Sequence, residues 1–420
     1  MTYRNIYRSV AFSLFTVIAA VSPAAAQSTV VIATSDFTSG SLASLRVGSD
    51  SASVNLINTH GDNAVRSYNR MIYVINRLGA DNILVLDPKD LRKPVRQFSV
   101  GNGANPYDIA FASPTKAYVT RYGWTSLLVV NPATGDSLKS ISLSAFADAD
   151  GAPEMAAAFV VGKRVYVVCQ RLFQFAPSDR SVVAVIDAEA DTVIDLAPGT
   201  AGVQGIDLTL KNPGSAALRN GKIYLSCVGA YSNFLDGGIE VVDTAQNKSL
   251  GVGISETVLG GDSGPMTMAS DSTGYVVVSD ASFKNSIKRF NLSTKTVSGA
   301  LLGHSGGFTP DLQVFSGRLY VADQDLKSPG LLIYTASTGE KQKGPISTGL
   351  PPNGIAFVSP LTADFDGNGI VDLDDFFAFA VVFGKKQGDA GFDAKYDLSG
   401  NGTVSFEDFF EFADQFGQRR

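Results

Sequence analysis

Apolar and polar residues alternate over short stretches of the chain, and one phrase recurs: an apolar strand, a polar loop, a second apolar strand and a turn. Six copies carry a tyrosine in the first strand, and successive tyrosines are 45, 48, 58, 51 and 45 residues apart: Tyr73, Tyr118, Tyr166, Tyr224, Tyr275 and Tyr320. A copy without tyrosine, residues 30–34, precedes them. A period of about 40–50 residues with several short strands indicates a β-propeller. The sequence therefore predicts an all-β, seven-bladed propeller.

The chain also carries a segment that would close such a ring. Most tyrosine strands are preceded by an inner strand, for example residues 108–111 or 311–314, whereas the first copy has none. Residues 353–358 form a strand with no further repeat behind them. We expect that strand to pair with residues 30–47, because closure removes an exposed sheet edge.

The second and third repeats carry a family resemblance. Residues 106–111 read PYDIAF, residues 117–123 read AYVTRYG and residues 128–135 read LVVNPATG. This phrase resembles the YVTN-type β-propeller repeat of bacterial exported proteins, and the resemblance implies a propeller domain over residues 27–360. It implies little chemistry, since such propellers include surface-layer proteins, periplasmic binding proteins and lactonase-like enzymes.

The first 26 residues are typical of a secretory signal peptide. Arg4 and Arg8 precede an apolar stretch over residues 10–21, and an Ala-x-Ala cleavage site ends at Ala26. That stretch is shorter than the roughly 20 residues that span a bilayer. We predict a secreted protein, extracellular or at the cell surface or in the periplasm, without a membrane span after signal removal.

Residues 361–420 change to a helical period and contain two aspartate-rich loops, 33 residues apart. A 12-residue EF-hand loop supplies oxygen ligands to calcium from positions 1, 3, 5, 7, 9 and 12, with glycine at position 6. The first loop offers Asp364, Asp366, Asn368, the Ile370 carbonyl, Asp372 and Asp375. The second offers Asp397, Ser399, Asn401, the Thr403 carbonyl, Ser405 and Asp408. We predict two Ca²⁺ sites, of which the first, richer in carboxylates, is the tighter.

Each loop leads into a segment with one apolar helical face, and a glycine, Gly384 or Gly417, follows it. The faces consist of Phe376, Phe379, Ala380 and Phe383, and of Phe409, Phe412, Ala413 and Phe416. We also expect Val371, at position 8 of the first loop, to pair its backbone with the second loop.

The aspartates at position 12, Asp375 and Asp408, stand where an EF-hand usually has glutamate. In this respect residues 362–417 resemble a type I dockerin, a duplicated loop–helix module that folds with calcium and docks onto cohesin domains. The resemblance implies a cohesin-like partner for the tail. Positions 10 and 11, which help that family choose its cohesin, differ here from the frequent hydroxyl pair, so the partner stays open.

The propeller sequence shows no catalytic constellation. Its two histidines, His60 and His304, lie in glycine-containing loops. They could share a site at the channel mouth, but we favour the interpretation that they are two unrelated surface-loop residues. Asn76, Arg121 and Asp323 occupy one repeat position and would line a pocket or bond to turns. Six loop aromatics would form a carbohydrate- or protein-binding rim or pack the long inserts: Tyr122, Trp124, Phe173, Phe175, Tyr231 and Phe234.

Net charge and cysteine positions bear on the expected partners and on a possible disulfide. The net charge is −6 and no basic patch stands out, so nucleic acid is not an expected partner. Cys169 and Cys227 occupy equivalent repeat positions in neighbouring blades, where a disulfide would require an approach near the axis. We favour two buried thiols over a disulfide.

These observations favour an exported, non-enzymatic binding or scaffold protein, with an unknown protein or carbohydrate bound at the propeller. One alternative is a secreted propeller enzyme that acts on a carbohydrate or lactone. Another is a cellulosome-like component that docks through its tail.

Overall fold

A computed structural model describes residues 28–231 and 233–418, and the predicted signal peptide lies outside these residues. Seven sheets form a seven-bladed β-propeller, as the sequence predicts. Blades 1 to 3 contain β1 (Thr29–Ser35), β2 (Ser39–Arg46) and β3 (Asn58–His60); β4 (Asn63–Tyr68), β5 (Met71–Asn76), β6 (Asn82–Leu86) and β7 (Pro94–Ser99); and β8 (Pro106–Ser113), β9 (Lys116–Arg121), β10 (Ser126–Val130) and β11 (Ser137–Ser142).

Blade 4 carries the longest insertions. It contains β12 (Met155–Val161), β13 (Arg164–Cys169), the small hairpin β14 (Leu172–Phe173) and β15 (Ala176–Pro177), then β16 (Val182–Asp187), β17 (Thr192–Val193) and β18 (Ile206–Asp207). Blade 5 contains β19 (Pro213–Arg219), β20 (Lys222–Cys227), β21 (Gly238–Asp243) and β22 (Lys248–Ser255), followed by the short helix α1 (Glu256–Leu259).

Blade 6 contains β23 (Asp262–Met268), β24 (Thr273–Ser279), β25 (Asn285–Asn291) and β26 (Thr296–Ala300). Blade 7 contains β27 (Leu312–Phe315), β28 (Arg318–Asp323), β29 (Gly330–Thr335) and β30 (Lys341–Ile346), and β31 (Pro352–Val358) follows. As expected, β31 pairs with β1, with Ile355 opposite Ile32, and so completes blade 1. The ring is closed by the two ends of the propeller sequence.

The recurrent tyrosines lie in the second strand of their blades, between neighbouring sheets. Tyr118, Tyr166, Tyr224 and Tyr275 are at most 1% exposed. Their hydroxyl groups donate to carbonyls of the next blade: Ala188, Thr244, Asp271 and Ala336, at 2.7–3.1 Å. A tyrosine suits this place because its ring fills the space between two sheets while its hydroxyl satisfies a turn carbonyl. The tyrosine period therefore marks contacts between blades.

The cysteines also lie in second strands. Cys169 and Cys227 are buried free thiols, in agreement with the favoured interpretation. Burial raises the pKa of the Cys169 thiol to about 12. Both side chains belong to apolar clusters between blades, where they act as small hydrophobic groups.

Residues 361–418 contain the helices α2 (Leu373–Val382) and α3 (Phe406–Gln415), with a single 3₁₀ turn at Ala394–Tyr396. Their small core consists of two clusters centred on Phe412 and Phe379. As predicted, glycines with left-handed backbone, Gly384 and Gly417, follow the helices. Within the described residues, no helix has the length and apolar character needed to cross a membrane.

We call the end of the propeller that carries the loops between the second and third strands of each blade the upper face. The opposite end, with the turns between first and second and between third and fourth strands, is the lower face.

Candidate metal centre in the C-terminal loops

The first aspartate-rich loop brings three carboxylates together. Oxygen atoms of Asp364, Asp366 and Asp375 all lie within 4.8 Å of one another. Two oxygens that bind one calcium ion at about 2.4 Å are at most about 4.8 Å apart. Three hard anionic oxygens at this spacing fit calcium, and they would supply positions 1, 3 and 12 of its ligand shell.

Asp375 is fixed by the start of helix α2. It is fully buried, its Oδ1 accepts hydrogen bonds from the backbone N–H groups of Phe365 (2.6 Å) and Asp366 (3.1 Å), and its Oδ2 accepts one from that of Asp372 (3.0 Å). Asp372 caps the helix and forms a capping box with Asp375. The helix start therefore holds an anionic group at the position where the loop returns to its beginning.

The sharp turn in the middle of the loop is made by its glycine at position 6. Gly369 has φ +91°, and its N–H donates to Oδ2 of Asp364 at 3.1 Å. Asn368 accepts from the Ile370 N–H at 2.7 Å. Backbone donors thus curve the loop around its own carboxylates and amide.

The second loop repeats this pattern. Asp408 is fully buried and accepts from the N–H groups of Ser399 (2.8 Å) and Ser405 (2.7 Å). Asp397 accepts from Gly402, and Asn401 from Thr403, both at 2.8 Å. Burial acts to raise the pKa of Asp408, but the hydrogen bonds from Ser399 and Ser405 outweigh it and lower that pKa. The fold of the loop therefore favours the charged carboxylate.

The loops differ in their acidic groups. Ser399 and Ser405 replace Asp366 and Asp372 at positions 3 and 9, so the second loop has two fewer carboxylates at its predicted ligand positions. Among the described residues, only the first loop gathers three acidic ligand atoms. Asp372 and Ser405 each accept a helix-capping hydrogen bond, from Asp374 and Glu407. Ligation by the Ile370 and Thr403 carbonyls stays a prediction.

The expected pairing of Val371 with the second loop is wrong. The backbone N–H of Val371 donates to the Gln418 carbonyl at 2.9 Å, and that of Val404 donates to the Lys385 carbonyl at 2.8 Å. Each position-8 valine therefore pairs with the segment that follows the helix of the other loop. Those segments were not recognised as strand partners because the glycines before them indicate only a helix end.

Sequence reasoning also missed a second apolar face on each helix. Leu373, Phe377 and Val381, four residues apart along α2, are 57%, 60% and 80% exposed. Phe406 and Phe410 repeat the stripe on α3. Their spacing was available in the sequence, but the stronger phenylalanine pattern of the buried face masked it. We call these five residues the helix stripes.

The polar residues at the upper face of the propeller bond to their own loops and to the neighbouring strand ends. The His304 side chain is buried, 3.6 Å from the Asp323 carboxylate. Its Nε2 lies 2.8 Å from the Thr309 hydroxyl, and its Nδ1 accepts from the Gly306 N–H. Burial lowers the pKa of His304, opposed by the Asp323 carboxylate. Nδ1 of His60 accepts from the Asp62 N–H at 3.1 Å. Both histidines thus serve to shape their loops.

The polar residues predicted to share one repeat position are likewise bonded to loops and turns. Asn76 accepts from the His60 N–H, Arg121 donates to the Ser126 carbonyl, and Asp323 accepts from the Ser305 hydroxyl. All three are at most 5% exposed. Their arrangement agrees with the interpretation that they bond to turns.

The solved structures that share the propeller fold include the following three. Apo AztD from Citrobacter koseri is 14% identical over 79% of this chain and 98% of its own, with a TM-score of 0.50. Kuenenia stuttgartiensis hydrazine synthase is 13% identical over 70% and 88%, with a TM-score of 0.53. A putative 6-phosphogluconolactonase from Bacteroides fragilis is 13% identical over 80% and 99%, with a TM-score of 0.54.

No family model matches the sequence, and no curated protein matches it. Because the three structural relatives are so distant in sequence, their likeness concerns the fold alone. The chain is a seven-bladed β-propeller followed by a small helical region.

Proposed function

We propose that this protein is an exported, non-enzymatic binding or scaffold protein whose C-terminal module binds two calcium ions and attaches the chain to a partner. The proposal includes a YVTN-type propeller over residues 27–360 and a dockerin-like module over residues 361–420. The observation that carries it is the convergence of Asp364, Asp366 and Asp375 in a loop whose hydrogen bonds recur in the second loop.

The duplication argues for two metal sites of one kind. A buried aspartate at position 12, Asp375 or Asp408, is held by backbone N–H groups of its loop and of the following helix start. Without a cation, anionic oxygens packed together repel one another. A divalent cation removes this repulsion, and calcium suits an all-oxygen, flexible loop better than magnesium.

The helix stripes support the attachment role. Large apolar side chains that repeat every four residues on an exposed helix are typical of helix-mediated recognition. They lie beside the loops, since Leu373 and Phe406 are the first residues of α2 and α3. Loading of the loops would therefore order the helices that present the stripes.

Calorimetric titration of the chain from residue 27 to 420 with calcium tests the metal sites. We expect two binding events, the tighter of which disappears in Asp364→Ala and the weaker in Asp397→Ala. Magnesium serves as the control ion and should bind more weakly. An absence of calcium binding at millimolar concentration would refute the proposal.

Attachment is tested separately with the calcium-loaded chain and an immobilised cohesin domain. Binding that is lost in Phe377→Ser/Phe410→Ser would support a cohesin-like partner. Retention of calcium binding without cohesin capture would leave the metal sites intact and refute only that partner.

A further inference from the structure

The upper face of the propeller carries a large exposed apolar side chain in each of its seven loops between second and third strands. The seven are Phe37, Leu78, Trp124, Phe175, Tyr231, Phe283 and Leu326, and we call them the tip ring. Six are at least 64% exposed, and Leu326 is 100% exposed. The ring of Phe37 also lies 6.4 Å from that of Phe308, in an adjoining upper loop. Soluble proteins rarely repeat exposed apolar groups so regularly on one face.

Four members of the tip ring have a left-handed backbone conformation, which is unfavourable for phenylalanine and leucine. Phe37, Leu78, Phe175 and Phe283 have φ of 69°, 27°, 64° and 60°. Asparagine and glycine tolerate such left-handed values best, and a bulky residue there is strained. Folding stability alone would therefore favour a different residue at each of these places.

The lower face shows the expected choice. Its left-handed residues other than glycine are all polar among the described residues: Asn55, Asn69, Arg70, Asp191, Asn220, Asn247, Lys295 and Ser316. The upper face also has polar left-handed residues, such as Asp81 and Asn105, but the left-handed phenylalanines and leucines of the described residues, the four tips and Leu235, all lie there. The restriction of these bulky apolar residues to the end with the tips points to a function for their side chains.

Both acidic and basic residues lie beside the tips. The carboxylates of Asp36, Asp280 and Asp325 accept backbone N–H groups of their own turns, at 2.6–3.0 Å. Lys284 and Lys327 are exposed and follow Phe283 and Leu326 directly. An apolar tip flanked by a long cationic side chain suits the boundary between hydrocarbon and lipid headgroups.

The shape of the tips decides between possible occupants. Side chains exposed by 84% to 100%, such as Phe175, Phe283 and Leu326, are projections rather than parts of a groove. Two cavities of about 590 and 410 Å³ open elsewhere, beside lower-face turns such as those at residues 67–70 and 87–95. A second copy of this chain, docked through the same face, would bring projecting side chains against projecting side chains and offer them no sockets. A fluid apolar layer accepts separate projections without matching sockets.

We propose that the tip ring inserts into the interfacial layer of a lipid bilayer, so that the upper face of the propeller lies on a membrane. This inference rests on the proposed role of the propeller as a binding platform and not on calcium. Its membrane contact consists of shallow side-chain insertion, as in proteins that lie on a bilayer surface.

Flotation of the chain from residue 27 to 420 with phosphatidylcholine vesicles tests the proposal, with calcium and with a chelator. The test variant is Phe37→Asn/Phe175→Asn/Phe283→Asn, because asparagine relieves the left-handed strain while it removes the apolar group. We expect its vesicle partition coefficient to fall at least about tenfold, while its melting temperature stays equal or rises. A merely structural role of the phenylalanines would lower that temperature.

Leu138→Asn is the matched control, since Leu138 is an exposed leucine, 53% exposed, on strand β11 outside the ring. It should partition like the parent chain. Failure of the parent chain to bind vesicles, or equal binding by the triple variant, would overturn the proposal. A dimer that the triple variant abolishes, without vesicle binding, would overturn it in favour of self-association. Vesicle binding by the parent chain in chelator would show that membrane contact does not depend on the calcium sites. Failure of the calcium proposal and failure of the membrane proposal can therefore be distinguished.

Discussion

The propeller and the C-terminal module hold their structures by different means. Each blade of the propeller is sandwiched between neighbours, and apolar clusters fill the spaces between sheets. The module has only two small clusters around Phe412 and Phe379, and its loops keep fully buried carboxylates, Asp375 and Asp408. A closed ring of sheets is stabilised mainly by its large buried apolar surface, whereas a small module with little apolar core and clustered carboxylates is suited to an added cation.

The largest expected effect is a selective loss of the module on calcium removal. With a chelator, limited proteolysis should cleave within residues 361–418 and leave residues 28–360 intact, because binding energy of the metal is folding energy of the loops. Mass spectrometry of the fragments checks this result. Equal protease resistance with calcium and with chelator would break the comparison.

A smaller effect is expected from Asp375→Ala. The substitution removes a predicted ligand and three backbone hydrogen bonds, so it should weaken calcium binding at the first site at least about 100-fold and destabilise the module by about 3 kcal/mol. Calorimetry and thermal melting measure the two quantities. Asp374→Ala, at the exposed neighbouring position, is the control and should change both only slightly.

The propeller should respond to pH instead of calcium. Burial raises the pKa of Glu154 to about 7, although the Leu172 N–H donates to its Oε2 at 2.8 Å. The folded state therefore holds the proton more tightly than the unfolded chain. The resulting stabilisation is present at acid pH and declines by about 2 kcal/mol as pH rises from about 4.5 through 7.

Denaturant unfolding at saturating calcium, between pH 4.5 and 8, measures this dependence. Glu154→Gln should flatten the profile while the module keeps its calcium response. A profile that is unchanged by the substitution would contradict the assignment to Glu154.

The smallest effect concerns the two loops. Ser399→Asp should tighten calcium binding at the second site by about tenfold, because it restores a carboxylate at position 3. The converse change, Asp366→Ser, should weaken the first site by a similar factor. Calorimetry of both variants checks the exchange. If neither affinity moves, carboxylate number does not set the difference between the loops.

The propeller could be predicted well because the same pattern of apolar strands and turns recurs seven times along the sequence. The spacing of the tyrosines predicted the number of blades. The lack of an inner strand before the first repeat predicted that β31 completes blade 1. The pattern did not explain the tyrosines, whose hydroxyl groups reach carbonyls about 47 to 78 residues away in the next blade. Such partners are invisible to local periodicity.

The amino-acid sequence by itself determined the number of blades, the closing strand and the two loops with their candidate ligands, because each follows from spacing along the chain. Tertiary structure decided that Val371 pairs with the segment after the other helix, that the upper-face histidines bond to loop and strand-end residues, and that the tip ring lies on one face. These features depend on which distant segments meet and which side chains are left uncovered. Neither property can be inferred from the spacing of residues along the chain.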